Sequence, residues 1–406
     1  MGEKASTVLV GVGGYGDLYP SLYEKYEDIR DICSLVGIVD PYAATAPHFN
    51  WFKEQGIPIY NTLEEFYQAH TARLAVISTP IPLHKPQCLT ALAHGSHVLC
   101  EKPLVPALAD AAQLKRAAEQ AGRTLGVGFQ WSFSHAMNRL KRDILAGELG
   151  KPLMLKSLIL WQRETAYYSD STWKGRIIDN AGHLIRDSVV TNATAHYLHN
   201  IFFVLGSQPD RAAMPGEVTA QVYRAKDIQS FDTCALTGRF LHGGAFWYGA
   251  SHAADMADQT RFRYIFQKAT VYFNDRPEDP RDHMIAVFAD GRVTDYGNPQ
   301  AFSELAPKFL TMLRHCLDDK QPAPCTVETI LPHLAVCTGL FEKGEPACFP
   351  AGRLFQQTQV RPGVYVRGLS DLFLQAYEQE VLPCQVSGGE QMMPASFRFT
   401  PERQGV

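Results

Sequence analysis

The chain has 406 residues, which is long for a single hydrophobic core and predicts two domains. Its hydrophobic fraction of 46% and charged fraction of 20% are ordinary for a soluble globular protein. Basic and acidic residues nearly balance, at 38 and 42, so we expect neither a nucleic-acid surface nor a polybasic membrane patch. No apolar run approaches the ~20 residues that a membrane-spanning helix needs.

The nine cysteines are scattered and form no CxxC pair. Their odd number and their spacing argue against both a zinc site and a full disulfide framework. We therefore expect reduced thiols in a cytoplasmic protein that holds no metal.

Strands and helices alternate through the first 130 residues. Apolar runs predict short strands at 7–10, 35–39, 57–60, 74–78, 97–100 and 124–129. Helical spacing predicts helices over 17–31, 42–55, 84–94 and 106–121, with another beginning at the capping signature Thr62 to Glu65. This alternation is typical of an α/β doubly wound parallel sheet, that is, a Rossmann fold.

The loop after the first strand reads GVGGYG over residues 11–16, a GxGxxG motif between a strand and a helix. Gly11 allows a tight turn, Gly13 lets a pyrophosphate approach the backbone, and Gly16 permits close helix packing. The helix N-terminus adds free N–H groups and a positive dipole end. Together with Gly14 and Tyr15, these residues form the predicted cofactor-binding loop.

Asp40 ends the second predicted strand, 24 residues beyond Gly16. A carboxylate there accepts hydrogen bonds from a ribose diol and repels a 2′-phosphate. No Arg or Lys occurs among residues 41–44, so the sequence favours NAD over NADP. The alternative role for Asp40 is a helix cap or a turn residue.

Strand 97–100 ends in Glu101-Lys102-Pro103, and the preceding buried strand leads into TPIPLH at residues 79–84. GFQ follows at 128–130 and GELGKP at 147–152. With the glycine loop, these motifs resemble the Gfo/Idh/MocA family of glucose–fructose oxidoreductase and inositol dehydrogenase-like enzymes. The resemblance covers roughly residues 5 to 345.

The resemblance implies a Rossmann domain over residues 1–130 and a substrate-binding α+β domain over 131–345. The second domain would contain a large, mostly antiparallel open sheet, which commonly mediates a dimer or tetramer in such proteins. The sequence independently suggests strands at 154–161, 233–240, 244–251 and 269–273, with helix-like segments at 183–204 and 302–318. Residues 346–406 form an extension that we expect to pack back on the protein.

In this family, the lysine of the EKP motif lies near the nicotinamide and the reacting carbon. An ammonium at the carboxyl end of a parallel strand, where such sheets bind ligands, polarises a carbonyl or exchanges a proton. Lys102 is therefore the first predicted catalytic residue, and the alternative is a solvated surface lysine. The resemblance adds four neighbours to the cofactor site: Thr79, Pro80, His84 and Glu101, the last of which we expect to orient the loop.

The family's second signature is an Asp followed four residues later by His, and often by Asp three residues beyond. Here the corresponding residues are Asn192, His196 and His199. On a helix, positions i and i+4 share a face, so Asn192 and His196 would address one ligand, with His199 near that face. An amide accepts no proton at neutral pH, so proton removal falls on His196 or Lys102. A metal reading is disfavoured because the stretch lacks a carboxylate.

Aromatic and basic residues alternate over residues 161–176, just upstream of that helix. Tyr168 and Trp173 would stack on sugar faces, and Lys174 and Arg176 favour an anionic substrate such as a sugar acid. Gln130 at the domain junction joins this predicted substrate set. The alternative is a packed sheet edge with solvated charges.

Three functions remain open on the sequence. The first is an NAD-dependent dehydrogenase that acts on the secondary alcohol of a sugar, cyclitol or sugar derivative. The second is an NAD-dependent enzyme that cleaves glycosides by transient oxidation and elimination. The third is a non-catalytic, NAD-occupied binding or regulatory protein, which the departures at Asn192 and His199 suggest.

Overall fold

The structure is a computed structural model that describes residues 3–318 and 320–401. The described residues fall into two compact units. The first contains the chain up to His135 together with Gln300–Ile330. The second contains Ala136–Pro299 and the residues from Leu331 onward.

The first unit contains a six-stranded sheet. Its strands are β1 (Ala5–Val10), β2 (Cys33–Val39), β3 (Ile59–Tyr60), β4 (Leu74–Ile77), β5 (His97–Cys100) and β6 (Leu125–Val127). They are all parallel and lie in the order β3-β2-β1-β4-β5-β6, which is the Rossmann arrangement. All four residues of β4 are buried, as expected for a parallel strand covered on both faces. The predicted doubly wound fold is confirmed.

The helices in chain order are α1 (Leu18–Lys25), α2 (Glu27–Ile32), α3 (Phe49–Glu54), α4 (Leu63–Ala69), α5 (Ile81–Ala93), α6 (Leu108–Ala121), α7 (Gln130–Phe133), α8 (His135–Leu145), α9 (Thr165–Ser169), α10 (Ala195–Phe203), α11 (Ala306–Leu317), α12 (Val327–Lys343), α13 (Leu369–Gln379) and α14 (Gly389–Met392). Thr62 caps α4 as predicted, because its hydroxyl accepts from the Glu65 N–H at 3.2 Å. The Glu65 carboxylate accepts from the Asn61 N–H at 3.0 Å, one residue before the position that a capping box requires.

Three predicted helices are shorter or broken in the structure. The helix over 17–31 divides into α1 and α2, because Tyr26 between them is extended, with φ −109° and ψ 118°. The helix over 42–55 is reduced to α3, since Ala46, which precedes a proline, is extended. The helix over 183–204 is reduced to α10. Thr191 shows why: its hydroxyl bonds the Ser188 N–H at 2.8 Å and so stabilises turns before the helix.

The second unit contains a ten-stranded sheet. Its strands are β7 (Pro152–Leu160), β8 (Pro215–Arg224), β9 (Thr233–Phe240), β10 (Ala245–Ser251), β11 (Gln259–Phe266), β12 (Ala269–Phe273), β13 (Met284–Phe288), β14 (Val293–Gly297), β15 (Ala347–Cys348) and β18 (Phe397–Phe399). The order is β14-β13-β12-β11-β7-β10-β9-β8-β15, and β18 also pairs with β8. Within this sheet, only the β7–β10 and β8–β15 pairs are parallel among the described strands, which confirms the predicted mostly antiparallel sheet.

Neighbouring residues of β10 show what covers each face of this sheet, because successive strand residues point to opposite sides. The Tyr248 hydroxyl donates to Thr194, at the start of α10, at 2.8 Å. The Trp247 indole N–H donates to the Val381 carbonyl, just beyond α13, at 2.8 Å. One face therefore packs against α10 and the other against the C-terminal part of the chain.

The residues after 346 add a two-stranded hairpin, β16 (Leu354–Gln357) with β17 (Gly363–Val366), and the helices α13 and α14. Phe373 and Tyr377 of α13 are buried in one cluster with Leu158 and Trp247 of the sheet. The extension therefore supplies more than half of the buried residues in this hydrophobic cluster.

The predicted domain bounds at 130 and 345 stay a prediction. The packing adds one detail: Gln300–Ile330 groups with the first unit, although the predicted bounds assign it to the second domain. The ring of Phe309 in α11 meets that of Tyr19 edge-on at 5.4 Å between centroids.

Candidate functional site

The glycine loop between β1 and α1 forms a cradle in which two glycines have no room for a side chain. Gly11 has φ +79°, and a Cβ there would lie 2.9 Å from the Thr79 methyl carbon. A Cβ on Gly16 would lie 2.2 Å from the Gly11 carbonyl oxygen. Gly13 differs, because a Cβ there would meet no heavy atom within 4 Å. Gly11 and Gly16 thus give the loop its shape, while the backbone at Gly13 is open to a ligand.

Asp40 stands half-buried at the end of β2, beside this loop. Its Oδ2 accepts from the Val12 N–H at 3.0 Å and its Oδ1 from the Tyr42 N–H at 2.8 Å. Each carboxylate oxygen retains a second lone pair for a ribose hydroxyl. The role of a turn residue and that of a ribose ligand are therefore compatible.

The residues around the cradle fit a dinucleotide. The Ser78 hydroxyl is buried and has no hydrogen-bond partner among the residues that the structure describes. Its Cβ would lie 3.3 Å from a Cβ on Gly16, so this hydroxyl adjoins the glycine loop. The loop backbone from Gly11 to Gly16, including Tyr15, would bind the pyrophosphate of the cofactor, and Asp40 the ribose.

Lys102 lies two residues beyond the end of β5 and is half-buried, and its peptide bond to Pro103 is cis. His84 joins the loop after β4 to the loop after β5. Its Nε2 lies 2.7 Å from the Thr79 carbonyl oxygen, and its Nδ1 lies 3.0 Å from that of Pro103. Burial lowers the pKa of His84, although the three carbonyls around it oppose the shift. His84 therefore connects the two loops from a buried position, whereas Pro80 is exposed at the surface.

Glu101 is the centre of a buried network within the first unit. Its Oε1 accepts from the Tyr19 hydroxyl at 2.6 Å and forms an ion pair with Lys308 of α11. Its Oε2 accepts from the Lys102 backbone N–H at 3.3 Å. A Cβ on Gly128 would lie 2.5 Å from Oε2, so that position has no room for a side chain. These contacts tie the Glu101 carboxylate to the EKP loop and to α11, and its role in orienting that loop stays a prediction.

Lys308 is fully buried, yet its pKa is raised. Burial alone lowers the pKa of this ammonium, but the Glu101 carboxylate and, after it, Tyr15 together more than offset that effect. Lys308 also donates to the Tyr15 hydroxyl at 3.3 Å, and Tyr15 donates to Gln130 at 2.8 Å. The network therefore connects the glycine loop, the EKP loop and the predicted substrate residue Gln130.

Sequence reasoning missed Lys308 and Tyr19. The signal in the sequence was a lysine among the apolar positions of a predicted helix. Lys308 precedes Phe309 and lies about one turn before Met312, and both of these residues are buried in the structure. A charge on a buried helix face needs a partner, so this signal predicts a buried ion pair but does not identify its acidic residue.

The predicted site residues Asn192 and His196 of the second unit are arranged differently from the prediction. Asn192 lies in the turns before α10, so the expected shared helix face with His196 is wrong in that detail. The Asn192 side-chain amide donates to the Tyr167 hydroxyl at 3.1 Å. His196 is half-buried in the first turn of α10.

His199 is fully buried, stacks on Phe203 at 5.8 Å and meets His333 edge-on at 6.2 Å. Burial lowers its pKa well below the ordinary value, as do His333 and Lys141 nearby. His199 is therefore a neutral core residue.

The segment 161–176 lies beside Asn192. The Tyr168 hydroxyl is 2.6 Å from Nδ1 of His252, a buried histidine whose pKa burial lowers strongly. The Lys174 ammonium lies 4.1 Å from the centroid of the Tyr167 ring. The structure thus brings Tyr168, Lys174 and Arg176 together around one cavity of about 680 Å³, whereas the half-buried Trp173 does not line it.

Over residues 3–318 and 320–401, no group of three or more His, Cys, Asp and Glu is arranged to bind a metal. Over the same ranges, every helix is too short or too polar to cross a membrane.

Residues 6–129 match the family described as "Oxidoreductase family, NAD-binding Rossmann fold" (GFO_IDH_MocA). The chain is 25% identical over 209 residues to 2,7-anhydro-N-acetylneuraminate hydratase from Mediterraneibacter gnavus, covering 51% of each protein. It is 36% identical over 101 residues to inositol 2-dehydrogenase from Streptomyces avermitilis, covering 25% of the chain and 29% of that enzyme. The matched part thus spans about half, or less, of these relatives.

Two solved structures share the fold. The first is an oxidoreductase from Agrobacterium radiobacter in complex with NAD+, L-tartaric acid and magnesium, with a TM-score of 0.67 and 15% identity over 84% of this chain and 96% of that one. The second is the WlbA dehydrogenase from Bordetella pertussis with NADH and UDP-GlcNAcA, with a TM-score of 0.64 and 20% identity over 83% and 95%. The glycine cradle, Asp40 and the EKP loop all lie in residues 6–129, the part of the chain that matches the NAD-binding Rossmann domain of the Gfo/Idh/MocA oxidoreductase family.

Proposed function

We propose that the chain is an NAD-dependent oxidoreductase that acts on a secondary alcohol or ketone of a sugar, cyclitol or sugar derivative. The observation that carries the proposal is the fixed position of Lys102 at the carboxyl end of β5, in the same sheet as the glycine cradle. Ligands of open α/β sheets bind at that edge. NAD, when bound, supplies the hydride acceptor.

Lys102 would polarise the carbonyl oxygen, or take the hydroxyl proton as a neutral amine. We assign His196 as the second proton-exchanging group and Asn192 as a residue that orients the reacting hydroxyl. These two assignments rest on the family resemblance, since Asn192 and His196 belong to the second unit. Gln130, Tyr168, Trp173, Lys174 and Arg176 complete the proposed substrate set.

The names of the relatives support this substrate class. Inositol 2-dehydrogenase and a glucose-6-phosphate 3-dehydrogenase from Bacillus subtilis both act on ring alcohols by name. A relative named as a hydratase also keeps the second candidate open, an enzyme that oxidises transiently and cleaves without net NADH.

We expect the protein to work in the cytoplasm on a carbohydrate-like small molecule, without nucleic acid, as a dimer or tetramer. The α13 helix covers the sheet face around Trp247, so a partner subunit would contact another surface. Analytical ultracentrifugation of the full chain would measure the oligomeric state.

The test is a polyol and sugar panel read by NADH fluorescence, with wild type, Lys102→Met and the exposed-lysine control Lys53→Met. The proposal expects turnover with at least one compound, lowered about 10²–10⁴-fold in Lys102→Met, with NAD affinity retained. Unchanged turnover in Lys102→Met would contradict the role of Lys102. Glycoside cleavage without net NADH would support the second candidate. NAD binding with no label exchange into any sugar would support the binding-protein alternative.

A further inference from the structure

The cavity of about 680 Å³ lies entirely within the second unit. Its walls come from three parts of the chain: α9 with the residues up to Arg176, the turn after β8, and the hairpin β16–β17 of the C-terminal extension. Its volume falls in the range of small-molecule sites. The motifs that indicated the family include none of the residues of the β8 turn or the hairpin.

Four cationic side chains line this cavity: Lys174, Arg176, Arg224 and Lys226. The only acidic residue among its lining residues is the exposed Asp227. Within the described part of the chain, none of the four cations forms an ion pair with a carboxylate within 4.0 Å. Four cations that converge with no described carboxylate at ion-pair distance create a positive potential in a concave site.

Neutral groups position these cations. An Arg224 guanidinium N–H donates to the Ile228 carbonyl at 2.8 Å, and the Lys226 ammonium donates to the Val364 carbonyl of β17 at 2.8 Å. An Arg176 N–H donates to the Asn180 side chain at 3.0 Å. Each cation keeps further donors for a ligand.

Two buried carboxylates fix the loops that carry the cations. Asp232, fully buried, accepts from the backbone N–H of Lys226 at 2.8 Å. Asp187 accepts from the Gly175 N–H at 2.6 Å. Gly175 has φ +70°, and a Cβ there would lie 2.7 Å from a methyl carbon of Ile228. The walls are therefore rigid before any ligand arrives, which reduces the entropy lost on binding.

We propose that this cavity binds an oxyanion, a carboxylate or a phosphate ester, that is carried by the sugar-like substrate. The assignment to a substrate rests on the proposed function; the assignment to an oxyanion rests on the cavity alone. Arg224 and Arg176 present planar donors that suit such a group. Lys174 lies over the ring of Tyr167, which accepts from Asn192, so the cavity adjoins one of the proposed substrate residues.

Lys226 makes this binding pH-dependent. It is 6% exposed, its ammonium lies 4.3 Å from the Tyr365 ring centroid, and burial lowers its pKa to about 8 despite the opposing charge of Asp232. The other titratable neighbour, His252, has a lowered pKa and is neutral in this range. An oxyanion binds the protonated lysine, so affinity should fall as pH rises through 8.

The experiment is isothermal titration of the full chain without NAD, at constant ionic strength set with sodium chloride. The probes are inorganic phosphate, glucose 6-phosphate, glucuronate and neutral glucose. The variants are Arg224→Gln and Lys226→Met, with Lys174→Gln as a milder change should either misfold. Arg281→Gln is the matched control, because that side chain is 92% exposed and loses the same charge.

We expect saturable binding of at least one anion, weakened tenfold or more by each cavity variant and unchanged in the control. Binding of the phosphate compounds alone would identify a phosphate ester, and binding of glucuronate alone a carboxylate. Affinity should fall between pH 7 and 9 in wild type and stay flat in Lys226→Met.

Absence of saturable binding by all three anions, or equal weakening by Arg281→Gln, would overturn the proposal. Because no NAD is present, the outcome is independent of hydride transfer. A chain that binds anions but turns over no sugar retains the cavity assignment and loses the oxidoreductase proposal.

Discussion

Replacing Lys308 by Met tests the buried network behind the EKP loop. Methionine has nearly the shape of the lysine stem, so the substitution removes the charge with little change in packing. It leaves the Glu101 carboxylate, 7% exposed, with the Tyr19 hydroxyl and backbone donors but without a counter-ion. An uncompensated carboxylate in this environment is strongly unfavourable.

Breaking a buried ion pair by removing one partner typically costs about 3–5 kcal/mol in the free energy of unfolding. The double variant Glu101→Gln/Lys308→Met buries no charge, so we expect it to be more stable than Lys308→Met alone. The direction in which stability changes with pH follows from the raised pKa of Lys308. The contribution of the pair is fully present below the ordinary lysine pKa of about 10.4 and is lost only above it, so the loss should be equal at pH 7 and pH 9.

The assay is urea unfolding at both pH values, with Lys53→Met as the control for loss of an exposed lysine charge. A loss under about 1 kcal/mol in Lys308→Met, or a double variant less stable than the single one, would refute the reasoning. NAD affinity measured alongside should weaken, since Lys308 also contacts the Tyr15 hydroxyl.

Two further substitutions test the cofactor cradle and the extension. Gly13→Ala should preserve stability, since φ −89° suits alanine and a Cβ there meets no heavy atom within 4 Å. The same substitution should weaken NAD binding about tenfold in fluorescence titrations, because the backbone at Gly13 is open to the cofactor. The control Gly352→Ala, at an equally open position, should change neither stability nor NAD affinity. Phe373→Ala should cost about 3–5 kcal/mol by urea unfolding because the ring is fully buried in the cluster of α13, against about 0.5 kcal/mol or less for the exposed Gln375→Ala. A small loss in Phe373→Ala would mean that the extension does not share the core.

The first sheet was predictable because each of its strands contains a short apolar run. Leu74 to Ile77 is such a run and became β4, and Gly11 to Gly16 became the predicted loop. Helix interruptions were missed where a single residue decides the conformation. Tyr26 is extended between α1 and α2, although nothing in its type forbids a helix.

The site was predictable only where a short motif carries it. The EKP loop and Asp40 are local in sequence, whereas Lys308 reaches Glu101 across 207 residues. The cavity also forms from residues that are distant in the sequence. Arg224 and Lys226 lie near Lys174 only because β8 and the hairpin from the extension fold beside α9, and no local pattern encodes that proximity.

The neighbours of Asn192 give a physical reason for an amide at the position where the family has an Asp. A carboxylate at 192 would accept from the Tyr167 hydroxyl and add a negative charge near Lys174, whose ammonium lies over the same ring. The amide instead donates to that hydroxyl and adds no charge, so it leaves the positive potential of the cavity intact. An enzyme that must attract an anionic substrate gains from an uncharged residue there. The amide cannot accept a proton at neutral pH. In the proposed mechanism, proton removal therefore falls to His196 or Lys102.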